Sequence, residues 1–272
     1  MLRQSLAVGL FLVLAATLTF VGCSDDNPTN STVGDPNAPA FQPMKAAIAQ
    51  AVDSTLAMSL KFAYKPNRYP SDIDWEWPAL GPNDSLLYNY VGDWHVLYLG
   101  LSTAFDYSYV YVDSARFWEG TTAVQYFRSP YITGLDLIRH QTYTYTGSGD
   151  DYTNISSSLD LSFRDLQDPT RYFYGDAQVT IDDYYVEGGS QKTARYEFTA
   201  NADDITYSVD HANPWYDSYP TGGTLTLTAA VERDDASVEW DITIEFQSNG
   251  AAQVSATDGH LTYSYTFTPE YN

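Results

Sequence analysis

Four histidines, 35 acidic side chains and one cysteine set the chemistry this 272-residue chain has to draw on. His95, His140, His211 and His260 are widely spaced, and none has a partner at metal-ligand spacing. There is no HExxH, no paired-cysteine zinc motif, no phosphate-cradling glycine loop and no GxSxG elbow. Each of those motifs fixes a nucleophile or a set of ligands on one short element, and nothing here does so. The expectation is therefore no catalytic residue, no metal site and no cofactor. The pairs Asp150-Asp151, Asp182-Asp183, Asp203-Asp204 and Asp234-Asp235 raise the question of calcium, which wants several oxygens at one point. None shows the D-x-D-x-D-G spacing of a calcium loop. Three of them fall at turn signals, where Asp bonds its own backbone.

The remaining constellation is aromatic, in a chain with 24 Tyr, 12 Phe and 6 Trp. Trp75 and Trp77 share one irregular stretch, and Trp215, Tyr216 and Tyr219 share another, each flanked by Asp or Asn. Flat rings beside such groups can stack on sugars or line the mouth of an apolar pocket. They can also plug the open ends of a β structure, which is the plainer use of them. These five residues are the candidate ligand contacts.

The elements that must position them follow from periodicity. Met44, Ile48, Val52, Leu56 and Leu60 recur every four residues, which predicts one amphipathic helix over 44–62, stopped by Pro66 and Pro70. Beyond Ser85 the period becomes two. Val238, Trp240, Ile242, Ile244 and Phe246 alternate with polar residues, as do Leu225, Leu227, Ala229 and Val231. Ile155 to Phe163, Ala194 to Phe198, Ile205 to Val209 and Leu261 to Phe267 read the same way. Strict alternation means one buried face and one wet face. Short Gly, Asn and Asp clusters separate the runs, including 147–150, 187–190, 201–204, Asn249-Gly250 and Asp258-Gly259. Short links make successive strands antiparallel neighbours. The fold class expected is all-β: an antiparallel meander of about twelve strands curled into a barrel, half-barrel or sandwich. The helix is the natural lid for whatever stays open.

The first two dozen residues read as an address. Arg3 opens a run from Leu6 to Gly22 that carries no charge, as in a secretory signal. The run ends Phe20-Val21-Gly22-Cys23, followed by Ser24-Asp25-Asp26. This resembles the lipobox of bacterial lipoproteins, with Phe20 where leucine is usual. The resemblance implies cleavage before Cys23 and lipid attachment to it. It also implies residence in the cell envelope, and in the outer membrane if the host is Gram-negative, since Ser24 follows the cysteine. Cys23 is the sole cysteine, so no internal disulfide forms. Residues 1–22 are then a signal peptide, 23–43 a lipidated cysteine with a polar tether, and 44–272 one β domain.

The formal charge is −22, and losing Arg3 leaves 12 cations against 35 acids, or −23. Such a surface repels phosphate backbones, which excludes nucleic acid as an expected partner. Two function classes remain. One is a tethered binding module, a β cup holding an amphiphilic or hydrophobic ligand, with a sugar-binding variant at the tryptophans. The other is a structural or protein-interaction lipoprotein with a solid core, meeting another envelope component.

Overall fold

The computed structural model describes residues 32–64, 85–102, 107–125, 131–146, 152–168, 170–187, 189–208, 220–233 and 236–269. Their thirteen strands all belong to one sheet. The chain enters with β1 (Thr32–Val33) and helix α1 (Gln42–Tyr64), then lays down β2 (Ser85–Val91), β3 (Trp94–Ser102), β4 (Tyr107–Glu119) and β5 (Thr122–Val124). The long central strands follow: β6 (Gly134–Thr146), β7 (Tyr152–Arg164), β8 (Thr170–Glu187) and β9 (Ser190–Ser208). The last are β10 (Pro220–Arg233), β11 (Ala236–Phe246), β12 (Ala252–Thr257) and β13 (Leu261–Phe267). Neighbours in sequence are neighbours in the sheet from β2 to β13, with β5 set aside on β4. Only β1 runs parallel to its partner, β13. The two ends of the order, β1 and β2, do not pair, so the expected meander is an open sheet and not a closed barrel.

Register explains how one face becomes a core. A single row crosses ten strands as Leu97, Asp113, Arg139, Leu159, Ala177, Ala200, Leu227, Ile242, Ala256 and Tyr263. Every member of that row is buried. Because side chains alternate, the intervening residues turn outward, and on β7 to β13 they are chiefly Ser, Thr, Asp and Glu. α1 packs against β7 and β8 with Met44, Ala47, Ile48, Ala51, Val52 and Leu56 buried, and these join the strands' inward residues in one cluster. The helix therefore fills the dry side, as the expected lid does.

Two differences from the sequence reading have physical causes. The run Ala194–Phe198 and the run Ile205–Tyr207 belong to one strand, β9, without a turn at 201–204. Their inward residues change parity, from Ala202 to Ile205, and the slip is absorbed at Asp204, whose φ is +45°. A facing irregularity lies at Gly223, and another at Gly175 (φ +138°), where a β-carbon would collide with the Asp160 carbonyl oxygen. Bulges of this kind bend a strand and increase its twist, which helps the sheet to curl. Residues from Thr32 on are also joined to the sheet, ahead of the predicted domain boundary at 44. Asp35 closes an Asx turn on Asn37 N (2.9 Å), and Phe41 stacks on Tyr263 at 4.0 Å and 2° between planes. Composition rich in Pro, Asn and Asp serves a tight turn as well as a tether.

Phe41 is 2% exposed and ties the helix start to the last strand. Phe41→Ala is expected to cost about 3–5 kcal/mol, the usual range for emptying a buried phenyl site. Urea unfolding followed by tryptophan fluorescence measures it, and a loss under about 1 kcal/mol would show that the stack is not part of the core.

Candidate functional site

Of the residues singled out in sequence, Cys23, Trp75, Trp77, Trp215, Tyr216 and Tyr219 lie outside the described residues, as does His211. His140 is exposed on β6 and His260 is exposed between β12 and β13. His95 points inward from β3, 2% exposed, with Tyr88 Oη 2.9 Å from its Nδ1. Burial holds its pKa below the ordinary value, against an opposing hydrogen bond to the Gln125 backbone. Of the Asp pairs, Asp182-Asp183 lies within β8 and Asp203-Asp204 within β9. Among the described residues no group of three or more His, Cys, Asp or Glu could hold a metal ion. None of the described helices is long and apolar enough to cross a membrane.

Three polar constellations do come together. The first is on the outer face of β3, β4, β6, β7 and β8 and centres on Asp136. Its Oδ2 accepts from Arg116 Nη2 (2.9 Å) and Trp118 Nε1 (2.7 Å), and its Oδ1 from Arg164 Nη2 (2.9 Å) and Ser162 Oγ (3.0 Å). The Arg116 guanidinium lies over the Trp94 and Trp118 rings, at 4.5 and 4.6 Å, and that of Arg164 over Tyr174 at 5.7 Å. Burial pushes the Asp136 carboxyl up, but its four donors together outweigh this and leave it below the ordinary value. The cluster's side-chain hydrogen bonds join β4, β6 and β7, and the ring contacts extend it to β3 and β8.

The second is an ion pair on the inner face. Arg139 Nε and Nη2 each lie 2.5 Å from an oxygen of Asp113, with side chains 5% and 2% exposed. The fork-to-fork geometry is what a buried pair needs to offset desolvation. One residue row away, the Ser157 hydroxyl is buried without a hydrogen-bond partner.

The third is a cleft of about 440 Å³ at the far end of β8 to β11, lined by both signs of charge and by Tyr184. Arg195 crosses it from β9, 3.2 Å from Asp182 and 2.7 Å from Glu197. On β8, Asp183 accepts from Thr153 Oγ1 at 2.7 Å.

Sequence reasoning missed all three. Arg116, Asp136 and Arg164 are far apart in the chain, and only pairing through register sets them side by side. A usable signal existed in Arg139 and Asp113, charges placed at inward positions of otherwise apolar alternation.

Asp136→Asn should destabilise the fold by about 1–3 kcal/mol, since two guanidiniums lose their charged acceptor while remaining partly hydrated. Asp136 has a depressed pKa, so its contribution is present above the unfolded value of about 3.9 and is lost as pH falls through the folded one. Chemical denaturation from pH 7 to 2 should show a shallower acid slope in the variant; parallel curves would contradict the clamp. At the alkaline end, burial raises the pKa of Tyr207, Tyr265 and Tyr196. Their stabilising effect is full below about pH 10 and is lost as pH rises through the raised values. Tyrosinate absorbance should therefore rise in two stages, the later coinciding with loss of far-ultraviolet circular dichroism. One smooth stage in a still-folded chain would contradict the burial argument.

No protein-family model, no curated protein and no solved structure matches this chain.

Proposed function

We propose that this chain is a cell-envelope lipoprotein, anchored through lipid on Cys23, which acts by contact through its outer surface and holds no amphiphile inside its sheet. The observation carrying this reading is the filled inner face. Ile48, Ala51, Val52 and Leu56 of α1 are fully buried at 0% exposure, where a cup would keep its ligand. An amphiphile there would have to displace the helix, exposing the apolar rows it covers at about 25 cal/mol per Å². The cleft described above is polar and lies at the sheet's end, which suits a surface partner better than an acyl chain. The lipobox-like segment supports the anchor, and Ser24 supports the outer membrane in a Gram-negative host. No catalytic role is assigned.

Native mass spectrometry of the full chain, expressed in bacteria and released in mild detergent, tests both halves. The expected mass begins at Cys23 and carries covalent lipid, which Cys23→Ser removes, and no further mass is lost on denaturation. A discrete amphiphile that leaves on unfolding would restore the cup reading. An intact chain starting at Met1 without lipid would overturn the anchor.

A further inference from the structure

The β8–β9 hairpin outreaches its neighbours, and the cleft sits in the step that results. β9 meets β10 last at Ala194 and Arg233, and β10 meets β11 last at Arg233 and Ala236. β8 and β9 stay paired as far as Glu187 and Ser190. The volume of about 440 Å³ lies within the ~300–1,000 Å³ of small-molecule sites.

The lining narrows the ligand by elimination. By strand alternation Asp182, Arg195 and Glu232 share the outer face with Tyr184 and contribute two carboxylates and one guanidinium, while Asp183 and Arg233 turn to the inner face. An anion meets the carboxylates and a cation meets the guanidinium. An apolar ligand would strip water from these three charges and return no hydrogen bond to any of them. A neutral ligand rich in hydroxyls serves both signs, because each hydroxyl donates and accepts. Arg195 is also held in place before any ligand arrives, by Asp182 and Glu197.

Tyr184 supplies the other half of such a site. Tyr152 stacks on one side of its ring at 4.0 Å and 12° between planes. That contact fixes the ring and leaves the side facing β9 to the cleft, where the C–H face of a sugar can lie. We propose that this cleft binds a short neutral saccharide, with Tyr184 as platform and Asp182, Arg195 and Glu232 on the same face as hydroxyl partners. The proposal rests on the surface-contact reading above and names a glycan as the partner of that surface.

The test is saturation-transfer NMR followed by calorimetry on the full chain. The panel is glucose, galactose, mannose, N-acetylglucosamine and their disaccharides, with glucuronate and glucosamine as charged counterparts. At least one neutral sugar should bind saturably below roughly 10 mM, a weak range still resolved by these methods. Its charged counterpart should bind less tightly. Tyr184→Ala should weaken binding tenfold or more, whereas Tyr184→Phe, which keeps the ring, should retain it. Glu232→Gln changes an exposed residue and provides a second loss of affinity if Tyr184→Ala does not fold. Absence of binding across the neutral panel, preference for a charged sugar, or unchanged affinity in folded Tyr184→Ala and Glu232→Gln would each overturn the proposal. None of those results bears on the lipid at Cys23 or on a bare interior, which the mass measurement reads separately.

Discussion

A sheet with one apolar face has to cover it, and every other feature of this fold answers to that requirement. Eleven strands in meander order present a dry surface far larger than one helix can roof if the sheet stays flat. Curling reduces the area to be covered, and one helix then suffices. Small residues make room where the sheet bends inward: Ala177, Ala200, Ala202, Ala229 and Ala256 are all buried. Bulges at Gly175, Asp204 and Gly223 supply bends on β8, β9 and β10, the strands at the middle of the order.

The same requirement sorts the charges. Outward positions tolerate acids, and Asp160, Asp203, Glu239 and Asp241 are exposed there. Where charge turns inward it is matched at once, as Arg139 is by Asp113. On the outer face the Asp136 cluster does a different task. It joins β3, β4, β6, β7 and β8 across the sheet with side chains, in the region where Trp94, Trp118 and Tyr174 give arginine rings to lie on. Backbone pairing alone would leave that region free to slide in curvature, and the clamp limits it.

Much of the architecture was legible because alternation is a direct image of a half-buried sheet. Val238 to Phe246 and Leu225 to Val231 point as their pattern says, and Asn249-Gly250 and Asp258-Gly259 turn with positive φ at glycine. What escaped was non-local. A parity change between Ala202 and Ile205 looks like a turn when only sequence is seen, while a bulge accommodates it in an unbroken strand. Asp35 and Asn37 look like a tether until Phe41 is found against Tyr263. The candidate site was the least legible part. Tyr184, Arg195 and Glu232 come from three strands, and their meeting depends on how far one hairpin outruns the next. The tryptophan-bearing segments that drew attention in sequence fall outside the described residues, so the two lists share no member.

The entry of the chain at β1 has a mechanical meaning. Two backbone bonds, Thr32 N to His260 O at 3.2 Å and Gly34 N to Thr262 O at 2.9 Å, fasten it to the sheet edge. Tyr263 fills the space above Gly34 where a side chain would stand, and then receives Phe41. A tug arriving through residue 32 thus meets a small latch before it reaches α1. Behind the latch lies the helix that fills the curl, and behind the helix the long ladders of β6 to β11. Tension applied there would spend itself on the latch first, so the sheet would yield at its edge while its central strands stay in register.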